Sequence, residues 1–258
     1  MIGGPLKLAV KYEVTDMVAA FHAVIYRDWP NIYAEWLEVE EQIRTERKLI
    51  CDAELEGVCP EYDVNCSTPN SGRLVRLVQD GHAGWALRAA WYELARSYGQ
   101  GCIPFRNESP YNHEHVTRRT AKLSVLDAND LRRLVVGRER MVDMVGIVFD
   151  ELCHHELFSA LPAGTTPRNA RYHQPCAEKS TQILQRYEKG ELYLEMTRDP
   201  LEVFRRMQLE IDRAQAVCSS CRRSAMHALT EACQQIWDAL DDIFDLKSLR
   251  RDLGSYED

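Results

Sequence analysis

The sequence predicts an all-α fold, an irregular array of about eight to ten helices. Three observations carry this expectation. Apolar residues recur at spacings of three and four through several long stretches, which lines them up on one face of a helix. No segment of useful length alternates apolar and polar residues as a half-buried strand would. Proline, glycine and a capping pair fall between the periodic stretches, where chain reversals belong.

Leu6, Leu8, Ala9, Val10 and Tyr12 open the chain and lead into Val14, Met17, Val18, Phe21, Val24 and Ile25, a stripe expected to face a core. Trp29-Pro30 ends this helix, because the residue before a proline avoids helical geometry. A second helix is expected over 32–53, and its Glu and Arg content suggests a solvated outer face. The stretch 54–72 reads as loop. The next helix, 73–98, contains Trp85, Trp91 and Tyr92 and a break at Gly81-His82-Ala83-Gly84. After a second loop at 99–122, Ser124 with Asp127 resembles a capping box. Leu131, Leu134, Val135, Met141, Val142, Val145, Val148, Phe149 and Leu152 continue that helix. A connection over 161–174 precedes shorter helices near 176–188 and 200–215. The closing helix, 222–245, lines up Met226, Leu229, Cys233, Ile236, Trp237, Leu240, Ile243 and Phe244. Most of the five tryptophans belong in a core, and one or two left outside would anchor a partner.

The 258 residues carry a net charge of −8, with a sequence pI near 5.6. Binding to nucleic acid needs a basic face, so a general nucleic-acid binder is not expected. The first residues lack the basic and apolar regions of a signal peptide. No apolar run approaches the roughly 18 residues of a membrane span, so no membrane association is expected. Nine cysteines, an odd number without a signal, favour a reducing compartment and a cytoplasmic or nuclear location.

Chemistry-bearing patterns are few. Cys218-Ser219-Ser220-Cys221 has the spacing at which two sulfurs converge on one zinc ion, each about 2.3 Å from it. One pair is half a site. The remaining ligands could come from Cys153, His154, His155, His173 or Cys176, and the expected set is Cys153, Cys176, Cys218 and Cys221, holding a structural zinc. The alternative is free thiols, some buried as small hydrophobes. His113-Glu114-His115 reads as a solvated loop. Asp238, Asp241, Asp242 and Asp245 read as a solvated helix face. Gly99-Gln100-Gly101 lacks the context of a phosphate loop. No nucleophile elbow or other catalytic signature is present, and no enzyme is expected.

Leu6-Lys7-Leu8-Ala9-Val10-Lys11-Tyr12-Glu13-Val14, followed by an amphipathic helix ending in Trp29-Pro30, resembles the last helical element of a BTB/POZ domain. Trp36 with its acidic flank resembles the helical extension in the fungal group of such proteins. So do Trp85-Ala86-Leu87-Arg88-Ala89-Ala90-Trp91-Tyr92-Glu93-Leu94, the segment from Leu123-Ser124 to Gly137-Arg138-Glu139-Arg140-Met141, and Cys218-x-x-Cys221 followed by Trp237-x-x-Leu240-x-x-Ile243-Phe244-x-Leu246. The resemblance implies three segments. Residues 1–30 are the end of a BTB/POZ domain, 31–120 its helical extension and 121–258 a C-terminal helical subdomain. It also implies a non-enzymatic protein-interaction module with a protein partner. Family-type dimerisation and cullin binding depend mainly on strands outside the resemblance and are not expected. The alternatives are a zinc-stabilised structural domain and, behind it, an enzyme of another type.

Overall fold

The computed structural model describes residues 3–55, 71–79, 83–97, 123–154, 167–188 and 191–252. Among them are eleven α-helices, two short 3₁₀ turns and no strand, so the fold is all-α as the periodicity predicts. The helices are α1 (Gly3–Lys11), α2 (Thr15–Asp28), α3 (Tyr33–Leu55), α4 (Ser71–Gln79), α5 (Leu87–Ser97), α6 (Ala128–His154), α7 (Pro167–Tyr187), α8 (Glu191–Arg198), α9 (Pro200–Arg213), α10 (Ser219–Ile243) and α11 (Leu246–Asp252). None is long and apolar enough to cross a membrane, among the described residues.

The chain packs as two compact units that do not follow its order. One joins Met1–Gly137 to Leu240–Asp258, and the other is Arg138–Ala239. The division therefore falls inside α6 and α10, whereas the sequence suggests a break near residue 120.

In the first unit, α5 is buried almost all round. Leu87, Ala89, Ala90, Trp91, Tyr92, Leu94 and Ala95 are inaccessible, and so are the charged Glu93 and Arg96. A helix buried on every side is a core helix. Small residues at 86, 89, 90 and 95 let neighbours approach, and Trp91 fills the space beyond them, stacked on Phe244 at 5.7 Å. The approach is tightest at Gly137, where an added Cβ would lie 2.1 Å from Cδ1 of Phe244.

The first helical stretch is two helices, not one. Glu13 adopts φ 55°, Val14 N–H donates to Ala9 C=O and Glu13 N–H to Val10 C=O. This pairing closes a helix with a left-handed residue. It re-aims the chain, so that Leu6 and Ala9 are buried in α1, while of the stripe from Val14 onward only Ile25 is buried and Val14, Met17 and Val24 are exposed. Helix α3 differs in the opposite sense. Its polar sequence hides a stripe of Tyr33, Trp36, Glu40 and Ile43, all buried. Glu40 is there because Arg96 Nη2 donates to it at 2.8 Å. The opposite face, with Glu38, Glu41, Gln42 and Thr45, is exposed as its charge content suggests.

The helix start near 124 is displaced by three residues. Leu123–Val125 is a 3₁₀ turn, and the cap is Asp127 with Asp130. Asp130 N–H donates to Asp127 Oδ1 at 2.9 Å, and Asp127 N–H to Asp130 Oδ2 at 3.3 Å. This reciprocal bonding satisfies first-turn donors. One of the four C-terminal aspartates also departs from the solvated reading. Asp241 is buried and accepts from Arg88 Nε at 3.2 Å and Nη2 at 3.0 Å. Of the five tryptophans, 29, 36, 91 and 237 are buried, and Trp85 is half-buried beside Tyr26. None is an exposed anchor.

In the second unit, Met141, Val145, Val148 and Leu152 of α6, Ile183 and Leu184 of α7, Phe204 and Met207 of α9, and Leu229 and Ile236 of α10 are buried. Helix α7 begins at Pro167, eight residues before the expected connection gives way to helix. Proline suits the first helical position, where its missing N–H has no partner to lose. A second proline, Pro175, lies inside the helix and removes one ladder bond. The proline, glycine and threonine content of 161–174 is why the sequence reads as loop there.

Candidate metal centre

Four side chains of the second unit converge. The ligand atoms of His173, Cys176, Cys218 and Cys221 all lie within 4.8 Å of one another. His173 and Cys176 come from α7, on either side of Pro175. Cys218 caps α10, with its C=O accepting from Arg222 N–H at 2.9 Å, and Cys221 sits in the first turn of that helix. Two elements thus each offer a pair separated by two residues.

The pairs interlock. His173 Nδ1 is 3.1 Å from Cys221 Sγ and 3.7 Å from Cys218 Sγ. Cys218 N–H donates to Cys176 Sγ at 3.3 Å, and Cys176 Sγ–H donates to Ala216 C=O at 3.5 Å. Burial is graded: Cys176 is buried, His173 and Cys221 are half-buried and Cys218 is exposed.

Electrostatics separate the two α10 thiols. The Cys221 backbone N–H donates to the Cys218 sulfur, and the neighbouring thiols and His173 add to this, pulling the Cys218 thiol down to about 7. A helix N-terminus favours a thiolate in the same direction. Burial pushes the Cys221 thiol up to about 12, and the adjacent Cys218 sulfur adds to it. Without a cation, the cluster holds one thiolate readily and resists a second.

This donor set suits one chemistry above others. Three sulfurs and an imidazole are a borderline-soft ligand set of the kind that holds zinc in structural sites. Bonds of about 2.3 Å to sulfur and 2.0 Å to nitrogen in a tetrahedron put ligand atoms roughly 3.5–3.8 Å apart. The observed separations bracket that value. Four protein ligands complete the tetrahedron, whereas a catalytic zinc keeps one position for water. The backbone N–H groups of Cys221 and Cys218, donating to the sulfurs of Cys218 and Cys176, are the outer partners that orient thiolate ligands.

Three of the four expected ligands, Cys176, Cys218 and Cys221, are in the converging group; the fourth member is His173, and Cys153 is not among them. Cys153, at the end of α6, is half-buried. Burial, helped by the Glu188 and Asp150 carboxylates, pushes its thiol up. His154 is exposed and its Nδ1 faces Asp150 C=O at 2.8 Å. The missed signal was in the sequence. His173-Gln174-Pro175-Cys176 repeats the two-residue gap of Cys218-Ser219-Ser220-Cys221, but it begins in the 161–174 stretch that reads as loop. His155, His113-Glu114-His115 and Gly99-Gln100-Gly101 lie outside the described residues.

No family model, curated protein or solved structure matches the chain.

Proposed function

We propose that this chain is a non-enzymatic protein-interaction module whose second unit is held together by a structural zinc ion. The observation that carries the metal is the convergence of His173, Cys176, Cys218 and Cys221 from two elements. Zinc would join the middle of α7 to the start of α10 and satisfy four polar groups at once. Its binding free energy would add to folding. Elemental analysis of protein purified without chelator tests this: about one zinc per chain is expected, falling in a His173→Ala, Cys176→Ser double variant. Protein free of zinc that takes none up when refolded with it sinks the metal reading.

The interaction half is supported by surface chemistry and by the resemblance to BTB/POZ adaptor proteins. Leu8 of α1 (56% exposed), Tyr12 in the turn after it (66%) and Met17 of α2 (45%) are exposed among the described residues. Large apolar side chains grouped on a surface mark sites of association. The partner is a protein; nucleic acid does not suit a chain of this charge, and cullin binding is not part of the reading. Thiolates on a zinc ion would suit a reducing compartment, and a cytoplasmic or nuclear location is part of the proposal. Tyr12→Glu with Met17→Glu is expected to abolish a stoichiometric complex while leaving zinc content unchanged. A complex indifferent to both changes removes this surface from the reading.

A further inference from the structure

The metal centre is uneven in a way that a purely structural zinc site does not require. Cys176 is buried and tied at its sulfur to two backbone groups, Cys218 N–H and Ala216 C=O. Cys218, by contrast, is exposed. The next sulfur in the chain, Cys221, is three residues on in the same helical turn and within 4.8 Å. The outermost ligand is therefore the one a solvent-borne reagent meets first, and a second sulfur stands beside it.

Resting on that metal reading, we propose that the centre is a redox switch: peroxide joins Cys218 and Cys221 in a disulfide, expels the zinc ion and frees the 214–218 turn from α7. The oxidant is hydrogen peroxide. The Cys218 thiolate attacks one peroxide oxygen, the O–O bond breaks, hydroxide leaves and a sulfenic acid forms. The Cys221 thiolate then attacks the sulfenic sulfur. The S–S bond forms, the S–O bond breaks and a second hydroxide leaves. In sum, two thiolates and one hydrogen peroxide become one disulfide and two hydroxides. The sulfurs are oxidised, the peroxide oxygens are reduced, and zinc departs as Zn²⁺ without change of oxidation state.

The consequence follows from ligand count. The disulfide removes two of four ligands, and His173 with Cys176 cannot complete a tetrahedron. Cys221, not Cys176, is the partner of Cys218 because it is less buried and shares a two-residue spacing that closes a disulfide within one turn. The segment released is short. It spans the 214–218 turn and the part of α7 around Pro175, where the helix already lacks a ladder bond. A dithiol reductant regenerates both thiolates by exchange, and zinc can then rebind.

The test uses the full-length zinc-loaded protein, hydrogen peroxide and a chromogenic zinc chelator. One zinc per chain should be released as two thiols are lost, with recovery on adding dithiothreitol and zinc. Trypsin cuts after Arg213 and Arg222, so one peptide carries Cys218 and Cys221 with no other cysteine. That peptide should lose two hydrogens in step with zinc release. Cys218→His keeps four ligands but removes the exposed sulfur, and its release should be slower by about tenfold or more. Peptide mapping on the unaltered protein decides the matter if that variant binds zinc poorly. A cross-link elsewhere, or release from a zinc-loaded Cys218→His variant as fast as from the parent, overturns the switch. Zinc retained through peroxide treatment overturns the switch and leaves the metal centre standing. A protein that never holds zinc removes both.

Discussion

Two clusters, one in each unit, gather polar groups by opposite means, although the second unit also buries Glu202 against Arg205 and Arg206. In the first, Arg96 is inaccessible, yet it donates to Glu93 through Nε at 2.9 Å and to Glu40 through Nη2 at 2.8 Å. Its guanidinium also lies 5.4 Å from the Trp36 ring and 5.7 Å from that of Tyr92. Arg88 and Asp241 pair in the same unit. There the charges answer one another. In the second unit, three sulfurs and an imidazole converge, with no cationic Lys or Arg among the four. Groups that satisfy each other need nothing further. Ligands of one kind that converge call for a cation. Both clusters hold helices together, but under the proposed zinc reading only the second depends on something the chain does not encode.

That contrast can be broken in several ways, and the largest effect is expected at Arg96. Arg96→Met leaves two carboxylates buried without their guanidinium, which should cost about 3–5 kcal/mol. Urea unfolding should show this loss with and without a zinc chelator. A loss that varies with chelator contradicts the independence of the two clusters.

Removing the metal should come next. Chelation of zinc-loaded protein should lower stability by about 2.7 kcal/mol if zinc had stood at a hundred times its dissociation constant. The thermal midpoint of the Arg96→Met variant should fall in the same direction. An unchanged midpoint on chelation removes the difference between the clusters.

Gly137→Ala probes packing apart from either cluster. Its new Cβ collides with Phe244, and overpacking of this kind costs about 1–3 kcal/mol. Zinc content should not change. A neutral effect would mean that Phe244 moves aside freely.

A smaller change is expected at the cap of α6. Asp127→Ala removes an acceptor for the Asp130 N–H, at about 1 kcal/mol. That same hydrogen bond, helped by Arg76, holds the Asp127 carboxyl below its ordinary value. The cap's contribution is thus present above the unfolded pKa of about 3.9 and fades as pH falls through the folded value. The acid limb of the parent's stability curve should be shallower in Asp127→Ala.

The last effect is one of reactivity. In metal-free protein Cys218 should alkylate first among the cluster's thiols, with a rate rising through pH about 7. Its folded value lies below the unfolded one, so the stabilisation it gives is present above the ordinary thiol range and lost as pH falls through about 7. Mass mapping of the alkylated peptide at a series of pH values checks this. Zinc should suppress the reaction.

Much of the fold was legible because helix periodicity is local. The stretch from Leu134 to Leu152 and that from Met226 to Leu240 repeat apolar residues often enough to reveal a buried face without knowledge of what covers it. The polar helix α3 shows where this fails. Glu40 carries the same charge as its solvated neighbours, and only the arrival of Arg96 from fifty-six residues away makes its burial tolerable. Likewise Val14 and Met17 look like core, but the left-handed turn at Glu13 sets the direction of α2, and glutamate does not announce such a turn.

The candidate centre divides the same way. Cys218 and Cys221 were legible from spacing, since two residues between sulfurs is a property of the chain itself. Cys176 was named without its partner, and His173 was passed over in favour of Cys153. By itself, then, the sequence determined an all-helical chain and one half of a metal site, because both depend on neighbours within a turn or two. Tertiary structure decided which charges could be buried and which side chains met, because each of those outcomes rests on residues far apart in sequence. The choice of His173 over Cys153 is the clearest case: both lie upstream of the cysteine pair, and only the packing of α7 against the start of α10 brings one of them within bonding distance.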